Sequence, residues 1–338
     1  MRKSFGNLAG DDSRHCMVII ALAFGLAASA QAADPPGWAY GFPPAGTPAP
    51  AAAAPATPPP PDTGVKHLPG STGAFTRAQI SDRFGPADWY PGDHPAMPDV
   101  VAHGKKPDVF ACSLCHYPNG KGRPENAGVA DLPVSYFIQQ MNDFRNGVRK
   151  SSEPRKANTN TMITIARGMT EDEIKAAAEY FGSMKWTPWI KVVETNTVPK
   201  TRIGGGMFLT LEGNEKEPIG QRIIETPEDA EGTEVLRDDR SGFFAYVPVG
   251  SLKKGEALVT TGAGKTTKCG VCHGENLKGL GPVPGIAGRS PSYLMRQMFD
   301  MQQGARHGVW SELMKPVLSN LTEADLLAIS AYAASRKP

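Results

Sequence analysis

Two pentapeptides hold the residues best suited to chemistry: Cys112-Ser113-Leu114-Cys115-His116 and Cys269-Gly270-Val271-Cys272-His273. A C-x-x-C-H run is the attachment motif for c-type haem. Its two thiols add across the vinyl groups, and the following His is placed to give its imidazole to the iron. A single C-x-x-C also suits a redox disulfide or half a zinc site. The His directly after each pair and the lack of further cysteines oppose both readings. Of five cysteines, four lie in the motifs, and the fifth, Cys16, falls in a segment expected to be removed. The sequence therefore predicts two covalently bound haem c groups on Cys112, Cys115, Cys269 and Cys272, with His116 and His273 as axial ligands.

The second axial ligand follows from an internal repeat. A shift of 157 residues carries Cys112, Cys115 and His116 onto Cys269, Cys272 and His273. The same shift carries Tyr136 onto Tyr293, Gln140 onto Gln297, Gly147 onto Gly304 and Arg149 onto Arg306. After a slip of five residues the register resumes, with Thr170 to Ile174 matching Thr322 to Leu326. Met162 and Met314 each stand eight residues before the repeated threonine. Equal placement makes them the expected thioether ligands, in a loop facing the histidine. Met141 and Met298 also repeat, but they lie in an amphipathic middle segment and read as packing, as does Met169. His103 and His307 have no repeat partners and read as surface or structural residues.

The elements that must hold these groups are helices. Thr170 and Thr322 each offer a hydroxyl cap, followed by acidic residues in the first turn and apolar residues at helical spacing. Each repeat thus reads as helix, attachment loop, helix, ligand loop, helix. The fold class expected is mainly α, two small domains in tandem joined by a long insert of irregular chain and short strands.

Outside the repeats, residues 1–32 read as a secretory signal, with a basic start, an apolar run from Met17 to Ala28 and Ala30-Gln31-Ala32 as a cleavage site. Residues 33–61, dominated by Pro and Ala, read as an extended tether with little to bury. The first repeat domain, with an irregular N-terminal extension, is assigned to 62–185, the insert to 186–250 and the second domain to 251–338. Within the insert, Ile190-Lys191-Val192-Val193 and Phe243 to Val247 read as strands. Gly262-Ala263-Gly264-Lys265-Thr266 has a phosphate-loop look, but Val259 stands where that pattern needs its first glycine. With Lys+Arg 36 against Asp+Glu 34, nothing points to nucleic acid.

The repeated C-x-x-C-H, Tyr-x-x-x-Gln and Met-then-Thr pattern resembles tandem class I cytochromes c, most closely the dihaem cytochrome c₄ type. The resemblance covers about Pro98 to Met184 and Lys253 to Arg336. It implies His and Met axial ligands at each iron, a first-helix Gly255 against Tyr332 of the last helix, and a Pro284 carbonyl accepting from His273. Ala127 stands in the equivalent position of the first domain, and Pro98 stands where the second has Gly255. Tyr136, Arg145, Tyr293 and Arg296 are propionate candidates by repeat position.

An iron closed by His and Met supports outer-sphere electron exchange. The reading is a periplasmic dihaem electron carrier, not an enzyme. It would take electrons from a dehydrogenase or quinol-oxidising complex and pass them to a terminal oxidase or reductase, with peripheral association to a membrane complex compatible. Two alternatives are a haem subunit bound permanently to a periplasmic dehydrogenase and a dihaem peroxidase-like enzyme, which needs one open iron. A thiosulfate-oxidising cytochrome with a cysteine axial ligand is opposed by the lack of a spare cysteine.

Overall fold

Thr170 and Thr322 do cap helices. Each hydroxyl accepts from the backbone three residues on, and Glu173 or Asp325 reaches back to the threonine N–H, closing a capping box at both sites. These are the last helices of two lobes in a computed structural model that describes residues 33–43 and 62–338. The expected signal segment with Cys16, and most of the Pro/Ala-rich stretch, lie outside the described residues.

The first lobe comprises α1 (Asp99–Ala102), α2 (Cys112–His116), α3 (Val134–Arg145), α4 (Ala157–Gly168) and α5 (Glu171–Gly182). Pro98 precedes α1, which is a single turn. Val101, Met141, Ile165, Ile174 and Phe181 form its core. The second lobe comprises α6 (Ser251–Thr261), α7 (Gly270–His273), α8 (Pro291–Gln302), α9 (Val309–Glu312), α10 (Lys315–Leu318) and α11 (Glu323–Ser335). Here α6 crosses α11 at Gly255, where a Cβ would sit 2.1 Å from the Ala328 carbonyl oxygen and 2.6 Å from Tyr332 Cβ. Only glycine permits that approach. Gly262, with φ of 75°, ends α6 in the left-handed conformation, and Lys265 binds Asp325, so the glycine-rich stretch is a helix terminus.

The ligand segments differ between lobes. Met162 lies inside α4 rather than in a loop, because residues 157–168 contain no proline and run as an unbroken helix. Met314 lies between α9 and α10, and Pro316, with no N–H to donate, fits only at the start of α10.

The insert carries a small sheet of β1 (Ile190–Thr195), β2 (Ile224–Pro227) and β3 (Phe243–Pro248), in the order β1-β3-β2. β1 runs parallel to β3, pairing Ile190 with Phe243, and β2 runs antiparallel, pairing Ile224 with Tyr246. Phe243, Ala245 and Val247 alternate into the interior. Glu225 of β2 is buried and accepts from Ser290 Oγ and Ser292 N, both at 2.7 Å, at the start of α8. The carboxylate thus supplies, from the insert, an acceptor for one free N–H, that of Ser292, in the first turn of a second-lobe helix.

One expectation is overturned within 33–43. This stretch is not a bare tether: Gly37–Tyr40 forms a helical turn whose Trp38, Ala39 and Tyr40 are buried in the core of the second lobe. The aromatics supply the apolar area that the surrounding prolines and alanines lack. Tyr40 Oη donates to Asp300 at 2.7 Å, while the Ala39 and Tyr40 carbonyls accept from Arg296 and Lys156. Both lobes therefore grip the turn. The extension from 62 onward packs Leu68, Ile80, Trp89 and Tyr90 together with Leu236 of the insert, and Trp89 Nε1 donates to the Leu236 carbonyl.

Candidate functional site

α2 and α7 turn each C-x-x-C-H run back on itself, so that the two thiols and the imidazole face one cavity. His116 Nδ1 lies 2.8 Å from the Ala127 carbonyl oxygen, and His273 Nδ1 lies 2.8 Å from that of Pro284. A carbonyl oxygen can only accept, so Nδ1 carries the proton and Nε2 keeps its lone pair. Burial pushes the pKa of both histidines down, which favours the neutral ring. That is the protonation state a metal ligand needs, with the second nitrogen already oriented by a backbone acceptor. Ala127 serves as well as Pro284 because only its carbonyl is used.

The four cysteines are unpaired by disulfide. Burial drives the Cys112 thiol up to about 12 and Cys269 to about 11, the opposite of a thiol tuned for exchange.

A cavity of about 470 Å³ runs between the lobes and is lined by both motifs, by Met162 and by Met314. Phe137, Phe181 and Ile165 wall it in the first lobe, and Ile286, Leu294 and Ile329 in the second. Thiols, oriented imidazoles and thioethers opening into an apolar space match what two covalent haems require. Met141, Met169, Met298 and Met301 also reach this space, but each is buried in a lobe core, whereas Met162 and Met314 are only half-buried.

Polar residues at the lobe boundary form a quasi-twofold network that sequence reasoning did not assign. Lys150 N donates to the Ala305 carbonyl, and His307 N donates to that of Val148. Between these bonds, Arg149 and Arg306 face each other. Arg149 donates to Gln140 Oε1 at 3.0 Å, Gln297 Oε1 at 3.0 Å and Tyr293 Oη at 3.2 Å. Arg306 donates to Gln297 Oε1 at 3.0 Å, Gln140 Oε1 at 2.7 Å and Tyr136 Oη at 2.9 Å. The repeat had already paired Tyr136 with Tyr293, Gln140 with Gln297 and Arg149 with Arg306. Their joining across the boundary needed the fold. Arg145 and Arg296, also named as propionate candidates, instead bond backbone carbonyls of Ala166 and Met169, and of Ala39 and Pro124.

Among the described residues, no helix is long and apolar enough to cross a membrane.

Residues 101–185 match the Cytochrome c family profile. Cytochrome c4 of Pseudomonas aeruginosa is 39% identical over 77 residues, covering 22% of this chain and 37% of that protein, so the chain spans under half of that relative's length. Cytochrome c-554(548) of Halomonas halodenitrificans is 34% identical over 77 residues, covering 22% of this chain and 93% of that protein. A longer, weaker similarity, 23% over 237 residues, covers 68% of this chain and 80% of a Thiomonas intermedia protein named thiosulfate dehydrogenase electron acceptor. With a family profile on its first lobe, a small cytochrome covered almost end to end and a repeated attachment motif, the chain belongs to the cytochrome c family and carries two covalently bound haem c groups.

Proposed function

We propose that the chain is a periplasmic two-centre electron-transfer cytochrome. It would consist of class I cytochrome c domains at 62–185 and 251–338 in tandem, mainly α, with 186–250 as an insert bearing short strands. Cys112 and Cys115 anchor one haem and Cys269 and Cys272 the other, with His116 and Met162, and His273 and Met314, as the axial pairs. Haem bound in this way supplies a one-electron couple, and an iron closed on both faces offers no position for substrate. The observation that carries the reading is the single apolar cavity holding both motifs and both methionines. The chain's own residues keep water out and fix the imidazoles through the Ala127 and Pro284 carbonyls.

Reductive titration at controlled potential should take up two electrons per chain reversibly, with no turnover of hydrogen peroxide. Peroxide turnover, or binding of peroxide at either centre, would contradict the carrier reading. The proposed donor is a dehydrogenase or quinol-oxidising complex, and the acceptor a terminal oxidase or reductase. A second reading, a haem subunit held by a periplasmic dehydrogenase, is favoured by the similarity to the thiosulfate dehydrogenase electron acceptor. Purification from native membranes and periplasm at low ionic strength separates the two: a carrier elutes alone, a subunit with its enzyme.

A further inference from the structure

Four separate stretches of chain meet around one buried amine. Lys156, the residue before α4, is 4% exposed, and it lines the cavity that holds both attachment motifs. From the N-terminal turn, the Tyr40 carbonyl accepts from Nζ at 3.3 Å. From the insert, Gly206 comes so close that a Cβ there would sit 3.6 Å from Nζ and 3.4 Å from Glu125 Cβ. From the second lobe, Arg296 donates to the neighbouring Ala39 carbonyl. An ammonium has three protons to donate. Among the described residues, the long bond to Tyr40 is the one hydrogen bond that Nζ makes, and no carboxylate pairs with it.

The charged groups around it are committed elsewhere. Glu125 pairs with Arg123 at 2.7 Å, Glu153 with Arg155 at 2.6 Å and, in the insert, Glu234 with Arg202 at 2.6 Å. Asp300 accepts from Tyr40 Oη and Ser152 N, and Glu225 from Ser290 and Ser292. Arg296 spends its guanidinium on the Ala39 and Pro124 carbonyls, and Arg149, Lys150, Arg289 and Arg306 add positive charge along the cavity. A charged Lys156 is therefore poorly compensated. Burial and the Arg296 charge, against a smaller pull from Glu125, push its pKa down to about 7.

Building on the electron-transfer reading, we propose that Lys156 is a proton-binding site coupled to the electrons held in the cavity. When a centre gains one electron from an electrode or a reducing partner, the cavity loses one positive charge. The neutral amine of Lys156 then takes one proton from solvent and becomes an ammonium. On oxidation the electron passes to the acceptor and the proton returns to solvent. Reduction raises the affinity of Nζ for its proton, and by reciprocity proton binding raises the affinity of the cavity for its electron. The potential must fall as pH rises between the pKa of the oxidised form and that of the reduced form, and lie level outside that window.

Spectroelectrochemical titration of the full-length, haem-loaded protein from pH 5 to pH 9 tests this. The parent should show a potential that falls across neutral pH, by at most about tenfold in the redox equilibrium per pH unit, or about 59 mV for a one-electron couple. Reduction in weakly buffered solution should withdraw protons from the medium. Lys156→Met, neutral at every pH, should hold the potential near the parent's high-pH level, and Lys156→Arg, charged at every pH, near its low-pH level. Both variants should lose the slope. Displacement in opposite directions separates this from a loosened lobe junction, which would move both variants the same way and overturn the proposal. A slope kept in Lys156→Met would assign the proton to another group, such as a haem carboxylate, and also overturn it. A level potential in the parent, with reversible uptake of two electrons, would overturn the coupling and leave the carrier function standing. Electron uptake at neither centre would overturn that function and the coupling with it.

Discussion

The lobe boundary makes a prediction whose sign is worked from shared acceptors. Arg149 and Arg306 are 8% and 6% exposed, and both donate to the same two oxygens, Gln140 Oε1 and Gln297 Oε1. Replacing either arginine with alanine removes three charge-assisted bonds and leaves one tyrosine hydroxyl without this donor. Each glutamine oxygen, however, still accepts from the remaining arginine, and the two like charges no longer repel. Hydrogen bonds to charged groups are worth about 1.5–3 kcal/mol each and are not additive, so each single variant should lose roughly 2 kcal/mol. In R149A/R306A both buried oxygens lose these donors, each at a desolvation cost of about 1–3 kcal/mol. The double variant should therefore cost more than the sum of the singles by about 1 kcal/mol or more. Urea unfolding followed by both far-ultraviolet circular dichroism and Soret absorbance measures all four proteins, with coincident transitions as the condition for using one free energy. The quasi-twofold arrangement also expects the two singles to agree. A double variant no worse than additive would refute the shared-acceptor argument.

Gly255→Val should cost about 3 kcal/mol or more, seen as a lowered thermal midpoint, because the new side chain meets the Ala328 backbone and Tyr332 at the α6–α11 crossing. Tyr40→Phe removes the buried bond to Asp300 and should lose roughly 1–3 kcal/mol, read by urea unfolding; no loss would mean that the Gly37–Tyr40 turn is not held as described. Burial, reinforced by Asp238, Asp88 and Asp93, pushes Asp239 from its ordinary value up to about 7. A carboxyl raised in the folded state contributes stability below its ordinary pKa near 4 that is lost as pH rises through about 7. Asp239→Asn should thus gain thermal stability over the parent between pH 5 and pH 8, and a difference that does not change with pH would contradict that origin.

Much of the site could be read before the fold. The motifs fix thiols and imidazole within five residues, and the threonine caps are local, so short-range rules reached them. The carbonyl partners of the histidines lie eleven residues away in both lobes, and the resemblance placed them at Ala127 and Pro284. Local patterning failed where contact was distant. Trp38 and Tyr40 sit in a proline-rich setting whose composition reads as tether, and only the groove beside Arg296 and Asp300 makes their burial worthwhile. Arg149 and Arg306 were legible as repeat partners, yet nothing in a repeat says that its two copies face each other. Glu225, which caps a helix 65 residues away, left no local signal at all. The helical state of the Met162 segment was missed because its equal spacing with Met314 before the repeated threonine led both segments to be read as the same loop.

In the proposed function each of the two haem sites is closed by one histidine and one methionine, His116 with Met162 and His273 with Met314. The far-red methionine-to-iron charge-transfer band of the ferric, haem-loaded protein, quantified per haem, measures this. Full intensity for two haems, reduced to one by Met162→Ala and by Met314→Ala separately, is the predicted result. Intensity for a single haem in the parent protein, or no loss in either variant, would contradict it.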